Sequence, residues 1–183
     1  VDEKAFIWEN EFPEVFAKGG FDVVIGNPPY VSHDNIDNKD FLKNKYVTYS
    51  SFGDLYIFFF ELASQILNKN GISSLITSNS FLKAKYGEPL RKFIKDSSNI
   101  EEVINIENTQ IFSDAVVNTV ILTFCKSKTG NPALVVNSEF KGLDFSIFIE
   151  NNKMSYNQTD FLESSWNLTS PKIINLQNKI KGS

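Results

Sequence analysis

Ten residues constrain this chain more than any others: Phe21-Asp22-Val23-Val24-Ile25-Gly26-Asn27-Pro28-Pro29-Tyr30. Residues 22–25 form a short run whose Val23, Val24 and Ile25 are β-branched and apolar, the pattern of a strand buried in a parallel sheet. Gly26 and two prolines end it abruptly. Each proline fixes φ at about −65° and has no N–H to donate. Each also drives the residue before it out of the helical region. The chain therefore leaves the strand through a stiff hook at its carboxyl end, where open α/β sheets place their ligands.

The hook has a definite chemistry. The Asn27 side chain offers an amide oxygen, and the Pro28 carbonyl offers a second acceptor. Two acceptors at one point suit an –NH₂ group with two hydrogens to give. An exocyclic amine on a base is a poor nucleophile, because its lone pair is delocalised into the ring. Accepting both hydrogens draws the nitrogen towards tetrahedral geometry and frees that pair for alkyl transfer. Tyr30 adds a flat face on which a base can stack, worth about 1–3 kcal/mol. The plainer alternative is a turn that holds nothing.

The rest of the chain supplies a scaffold. Residues 5–8 read as a short strand or extended lead-in, and residues 10–17, with Pro13 near the start, as a short helix. Gly19-Gly20 breaks that helix before the strand. No helix follows the pair directly, so it is not a phosphate-cradling loop, and no strand–Gly-x-Gly–helix unit occurs anywhere. Residues 31–51 are polar, rich in Asp, Asn and Lys and without a convincing period, which reads as a mobile loop. His33 within it has no Cys or second His beside it and reads as solvated surface, with no metal assigned.

Residues 54–67 place Leu55, Phe58, Phe59, Leu62, Ala63, Ile66 and Leu67 on one broad helix face. Asp54 is the expected N-cap, and Gly71 is expected to follow the helix end. Residues 72–77 read as a strand. Gly87-Glu88-Pro89 opens a second helix, proline fitting its first turn, which runs to about Asp96. Lys83, Lys85, Arg91, Lys92 and Lys95 read as a solvated face, with a phosphate contact open to Lys83 or Lys85. Residues 100–106 and 116–125 are further strands, the second apolar on both faces and hence central. Cys125 ends it without a Pro-Cys context and reads as packing, not as a nucleophile. Beyond Gly130-Asn131-Pro132, residues 133–137 and 143–149 read as strands, and Trp166-Asn167-Leu168 precedes a helix-like run over residues 171–180.

Composition sets bounds on function. With 183 residues, 42% of them hydrophobic, one core and an appendage are expected. No run approaches the roughly 18 apolar residues of a membrane span. The single Cys excludes an internal disulfide and fits a reducing cytoplasm. A formal charge of −4 is not that of a self-sufficient DNA binder.

Phe-Asp-Val-Val-Ile-Gly-Asn-Pro-Pro-Tyr-Val resembles the catalytic motif of adenine-specific DNA methyltransferases of the amino-methylating class, closest to those of type IIG and type I restriction–modification enzymes. Asp54-Leu55-Tyr56-Ile57-Phe58-Phe59, Asn70-Gly71 through Ser80-Phe81-Leu82, Tyr86-Gly87-Glu88-Pro89-Leu90-Arg91-Lys92-Phe93 and Ile111-Phe112-Ser113-Asp114-Ala115 follow in that family's order. The resemblance spans about residues 6–126.

The resemblance implies an α/β fold: a partial, doubly wound, Rossmann-like methyltransferase sheet with a small β-containing appendage. Residues 1–130 would be the C-terminal half of the domain, with the cofactor loop lying before Val1, and residues 131–183 would lead towards a DNA target-recognition domain. The strand over 116–125 would insert antiparallel between its two predecessors. The cofactor implied is S-adenosylmethionine, its site incomplete here, and the partner is double-stranded DNA, gripped mostly by other regions. Asn27 and Pro28 would hold the amine of an extruded adenine, Tyr30 and Phe112 would sandwich its ring, Pro29 would line the cofactor side, and Phe59 would pack near the cofactor's adenine. These residues alone would be inactive, and a fused restriction endonuclease is neither required nor excluded. Two rivals share the motif: a protein methyltransferase acting on a glutamine amide, and a non-catalytic DNA-binding scaffold.

Overall fold

The computed structural model describes residues 6–106, 118–140 and 144–169, together with Ile173. Phe112 and most of the run over 171–180 lie outside the described residues. Two short helices, α1 (Trp8–Glu11) and α2 (Pro13–Phe16), lead into β1 (Phe21–Gly26). Then come α3 (Lys39–Lys45), α4 (Tyr56–Ile66), β2 (Leu67–Ser78), α5 (Glu88–Ser97), β3 (Asn99–Ile106), β4 (Thr119–Cys125), β5 (Ala133–Ser138), α6 (Phe145–Asn152) and β6 (Met154–Tyr156).

The strands form one six-stranded sheet in the order β1-β2-β4-β3-β5-β6. β1 runs parallel to β2, and β3 parallel to β5. β4 lies antiparallel between β2 and β3, with Ser78 opposite Thr119 and Thr119 opposite Ile106. That insertion is the one the resemblance implied. The residues after Gly130 continue this sheet: β5 pairs with β3, and Phe161, Trp166 and Leu168 enter the main core.

Period-2 alternation splits the packing between the two faces. Leu75, Val103, Leu122 and Val135 pack under α4 and α5, with Tyr56, Phe60, Leu90 and Ile94. Ile104, Ile106 and Val136 face the other way and are covered by Phe148 of α6. Towards β1 no described residue covers that second face. Val24 packs on the main core, but Val23 is 60% and Ile25 77% exposed. The β1 strand, expected to be buried, is an edge strand with one open face.

Other expectations are corrected locally. Residues 10–17 are not one helix: α1 starts at Trp8, where an extended lead-in was expected, and the chain breaks at Phe12 before Pro13 restarts it as α2. Asp54 does not cap α4 through its side chain; Leu55 is the N-cap, and the Asp54 main-chain carbonyl accepts the Ile57 N–H at 3.1 Å. Gly71 lies inside β2, because α4 passes into the strand at Leu67 without a turn. There the register against β1 slips by a bulge, and a Cβ on Gly71 would meet Leu67 Cδ2 at 2.7 Å and the Phe21 carbonyl at 2.8 Å.

Within the run over 143–149, residues 145–149 are helical, not extended. Asp144 caps α6 by accepting the Ile147 N–H at 3.0 Å, and Phe145, Phe148 and Ile149 keep the i, i+3, i+4 spacing of a helix face. Residues 31–51 are folded rather than a bare loop. They contain α3 and bury Ile36, Tyr46 and Thr48. The buried Glu61 carboxylate of α4 holds them from below, accepting the N–H groups of Val47 at 3.3 Å and Thr48 at 3.0 Å.

Candidate active site

Parallel pairing of β1 with β2 ends at Gly26 opposite Leu75, and the hook follows at the carboxyl edge of the sheet. Pro28 is buried and anchors the corner, while Asn27, Pro29 and Tyr30 are exposed. Neither Asn27 nor Tyr30 is turned into the core. The Tyr30 ring lies 6.5 Å from that of Tyr56, at the start of α4, and keeps 43% of its surface open. Partial burial pushes the Tyr30 hydroxyl above its ordinary value. Behind the hook, the Val31 carbonyl accepts the Leu55 N–H at 2.9 Å, which fixes the chain's exit against α4.

The same edge collects the ends of three other strands. The turn over Asn79–Leu82 leaves β2 there, and the segment between Ile106 of β3 and Thr119 of β4 begins and ends there. The Asn79 N–H donates to the Asn118 carbonyl at 2.9 Å. The Asn79 amide donates to the Asn105 side chain at 2.8 Å, and that of Asn105 donates in turn to Asn137 at 2.5 Å. This amide ladder ties the ends of β2, β3 and β5 into one rim. Ile106 and Asn118, the described residues on either side of residues 107–117, lie at this rim.

Phe59 is half-buried against the main core, one helical turn beyond Tyr56. Tyr56 carries more of the site's architecture than Phe59 does. Its side chain is buried between Tyr30 and Phe81, with ring centroids 6.5 and 6.3 Å away. Its hydroxyl lies beside Tyr86 without an aligned hydrogen bond, and burial drives its pKa up, reinforced by Tyr86 and Asp54. His33 is not freely solvated. It is half-buried, its Nε2 has no hydrogen-bond partner, and its ring faces Phe52 at 6.1 Å. Asp54 faces it, its carboxyl raised by burial despite hydrogen bonding and attraction from His33.

Arg91 also departs from its expected place. It does not join the solvated lysines but is buried on α5. Lys92 and Lys95 pair with the Glu163 carboxylate at 3.8 and 3.7 Å. Cys125 is buried at the end of β4, its Sγ 3.7 Å from the Asn70 carbonyl, as a packed residue. A cleft of about 800 Å³ opens between residues 47–52 and α5, lined by Val47, Phe52, Lys85, Tyr86, Pro89 and Phe93 among others. No hook residue lines it. Among the described residues no helix is long and apolar enough to cross a membrane.

Tyr56, Arg91 and the asparagine ladder escape a reading of the sequence alone. Tyr30, Phe81, Glu163 and Ser164, which hold Tyr56 and Arg91, lie far from them along the chain, and the face expected over residues 54–67 did not include Tyr56.

Known proteins give this arrangement its context. The sequence profile described as Eco57I restriction-modification methylase matches residues 1–112. Type II methyltransferase M.BstVI of Geobacillus stearothermophilus is 30% identical over 131 residues, which cover 70% of this chain and 23% of that protein. Type II methyltransferase M.HincII of Haemophilus influenzae is 28% identical over 174 residues, covering 92% and 35%. The crystal structure of a type I restriction-modification system methyltransferase subunit from Streptococcus thermophilus superposes with a TM-score of 0.60 at 18% identity, over 84% of this chain and 38% of that one. The fold is thus shared with that methyltransferase subunit, and the chain spans between about a quarter and a third of the two curated relatives.

Proposed function

We propose that this chain, which belongs to the Eco57I restriction-modification methylase family, is the base-holding half of a DNA methyltransferase that acts on the amino group of adenine. One observation carries the reading: a proline-stiffened corner at the sheet's carboxyl edge presents Asn27 and a half-open Tyr30 ring side by side. In this reading the target adenine leaves the duplex, at a cost of a few kcal/mol. Tyr30 takes one face of its ring, and Phe112 takes the other. The Asn27 side-chain oxygen and the Pro28 carbonyl accept the two amine hydrogens, localising the lone pair for in-line attack. The catalysis is positioning, and no covalent bond to the protein forms.

S-adenosylmethionine fits what is present on one side only. Exposed Pro29 and half-buried Phe59 offer apolar surface to it, while the glycine loop and ribose-holding acid of such a site are not found among these residues. Bound, it supplies a methyl made electrophilic by its sulfonium. The bare face and free edge of β1 support the reading of residues 1–130 as part of a larger sheet; β5 and β6 belong to that sheet as well, and the residues after them would lead towards the region that reads double-stranded DNA. Residues 1–183 alone are then inactive.

The test is Asn27→Ala in the intact protein, assayed with duplex DNA and with a glutamine peptide. Cofactor affinity should persist while methyl transfer to DNA is abolished. Retained turnover removes Asn27 from its role, and transfer to the peptide instead of DNA replaces the substrate.

A further inference from the structure

Arg91 joins two segments that lie far apart in sequence. It is 0% exposed, yet no carboxylate bonds it among the described residues. Its Nε donates to the Glu163 carbonyl at 2.8 Å and its Nη2 to the Ser164 carbonyl at 2.7 Å. Its Nη1 donates to the carbonyls of Phe81 and, at 2.9 Å, of Ala84. A planar fork of N–H donors can bridge two loops in this way; a lysine ammonium cannot. The Trp166 N–H adds a further stitch to the Leu82 carbonyl at 2.8 Å. Gly87 leaves the room required, since a Cβ there would lie 2.8 Å from Arg91 Nη1.

The clamped residue matters for what its ring touches. Phe81 meets Trp166 edge-on at 6.1 Å on one side and Tyr56 at 6.3 Å on the other. Tyr56 in turn backs Tyr30 at 6.5 Å. We propose that Arg91 is a positioning residue for the hook: by locking the Phe81 main chain to the segment over 163–166, it fixes the Phe81–Tyr56 platform on which Tyr30 stands. This deepens the reading of Tyr30 as a base-stacking residue and rests on it. Arg91 touches no substrate. The exposed pairs of Lys92 and Lys95 with Glu163 contribute little to the lock.

The experiment uses the intact protein with Arg91→Lys, Trp166→Phe and the control Phe148→Leu, which thins the cluster on the opposite face of the sheet. Cofactor affinity, thermal midpoint, kcat, KM for duplex and the emission of a 2-aminopurine target are measured for each. Arg91→Lys is expected to keep cofactor affinity within about twofold while kcat falls about tenfold, as a displacement of a fraction of an ångström allows. Its 2-aminopurine signal should dim, with KM little changed. Trp166→Phe retains the main-chain stitch and should move the same way by less, so it serves if Arg91→Lys does not fold. Losses no larger than those of Phe148→Leu at matched thermal midpoint would overturn the proposal, as would a fall in cofactor affinity parallel to kcat. If the unaltered protein neither brightens 2-aminopurine nor methylates DNA, the role of Tyr30 fails and this one with it. If it does both and the variants match the control, the role of Arg91 alone fails.

Discussion

Gly20 offers a quantitative test of how the hook's strand is seated. It follows α2 with its neighbour Gly19, and both lie at positive φ, +96° for Gly19 and +119° for Gly20. A side chain at either position adopts backbone that L-residues avoid, at a cost of about 1–3 kcal/mol. The two differ in their surroundings. A Cβ on Gly19 has nothing nearer than Asn68 Cβ at 4.0 Å, whereas one on Gly20 would meet the Ile66 carbonyl oxygen at 2.5 Å, Leu67 C at 2.8 Å and Asn68 N at 2.9 Å. Those atoms are main chain at the junction of α4 and β2 and cannot swing aside, so an overpacking cost of about 1–3 kcal/mol is added. Gly20→Ala should therefore cost roughly 2–6 kcal/mol, much of the 5–15 kcal/mol that holds a typical domain together. Urea unfolding followed by Trp8 emission suits the measurement, because Trp8 packs edge-on against Phe21 at 5.9 Å, at the start of β1. The unfolding midpoint of Gly20→Ala should fall well below that of Gly19→Ala at similar m-values. Equal midpoints would mean that β1 does not approach the α4–β2 junction as described.

Glu61→Ala strips the partner from the Val47 and Thr48 N–H groups and should cost about 2–4 kcal/mol; limited proteolysis should then cut first near residues 46–49, and an uncut loop refutes the anchoring. Tyr156 is buried and donates to the Thr169 carbonyl, and burial, aided by Asp160, raises its pKa from 10.0 to about 12. The folded state thus favours the protonated phenol, so its contribution is complete below pH 10 and is lost as pH rises through about 12; Tyr156→Phe should flatten the alkaline fall in thermal midpoint, and an unchanged slope excludes this cause. Ile25 is 77% exposed, so Ile25→Ser should change the stability of residues 1–183 by no more than about 0.5 kcal/mol. In the intact protein the same change should cost about 1.5–3 kcal/mol if further chain covers that face, and equal effects in both would leave the face bare.

The parts of the site legible in the sequence are those contiguous in it. Asn27, Pro28, Pro29 and Tyr30 adjoin one another, and proline geometry acts locally, so the position of the hook at a strand end followed from one short stretch. The helix over 54–67 and the strands on either side of it were likewise visible as periods. The failures share a cause. Residues 143–149 alternate well enough for a strand, yet Asp144 and the Phe145–Phe148–Ile149 spacing select a helix that lies over Ile104 and Val136. Residues 31–51 have no period because their order comes from outside, from the Glu61 carboxylate and the Phe58 ring. The β-branched run of β1 reads as buried on both faces, but burial of the second face depends on what lies against it.

The same distinction bears on how the hook works. Two prolines fix where the main chain turns, but not where the Tyr30 ring points, since side-chain torsions are free of proline's constraint. The ring direction comes from Tyr56, whose place depends on Phe81, whose main chain depends on Arg91. Those residues lie 26, 51 and 61 positions beyond Tyr30. With Tyr30 as the proposed stacking residue, a protein could therefore keep the tetrapeptide intact and still lose base capture through a change at any of them. In that proposal the motif states what chemistry is offered, and the aromatic file behind it determines whether a base finds the ring in place.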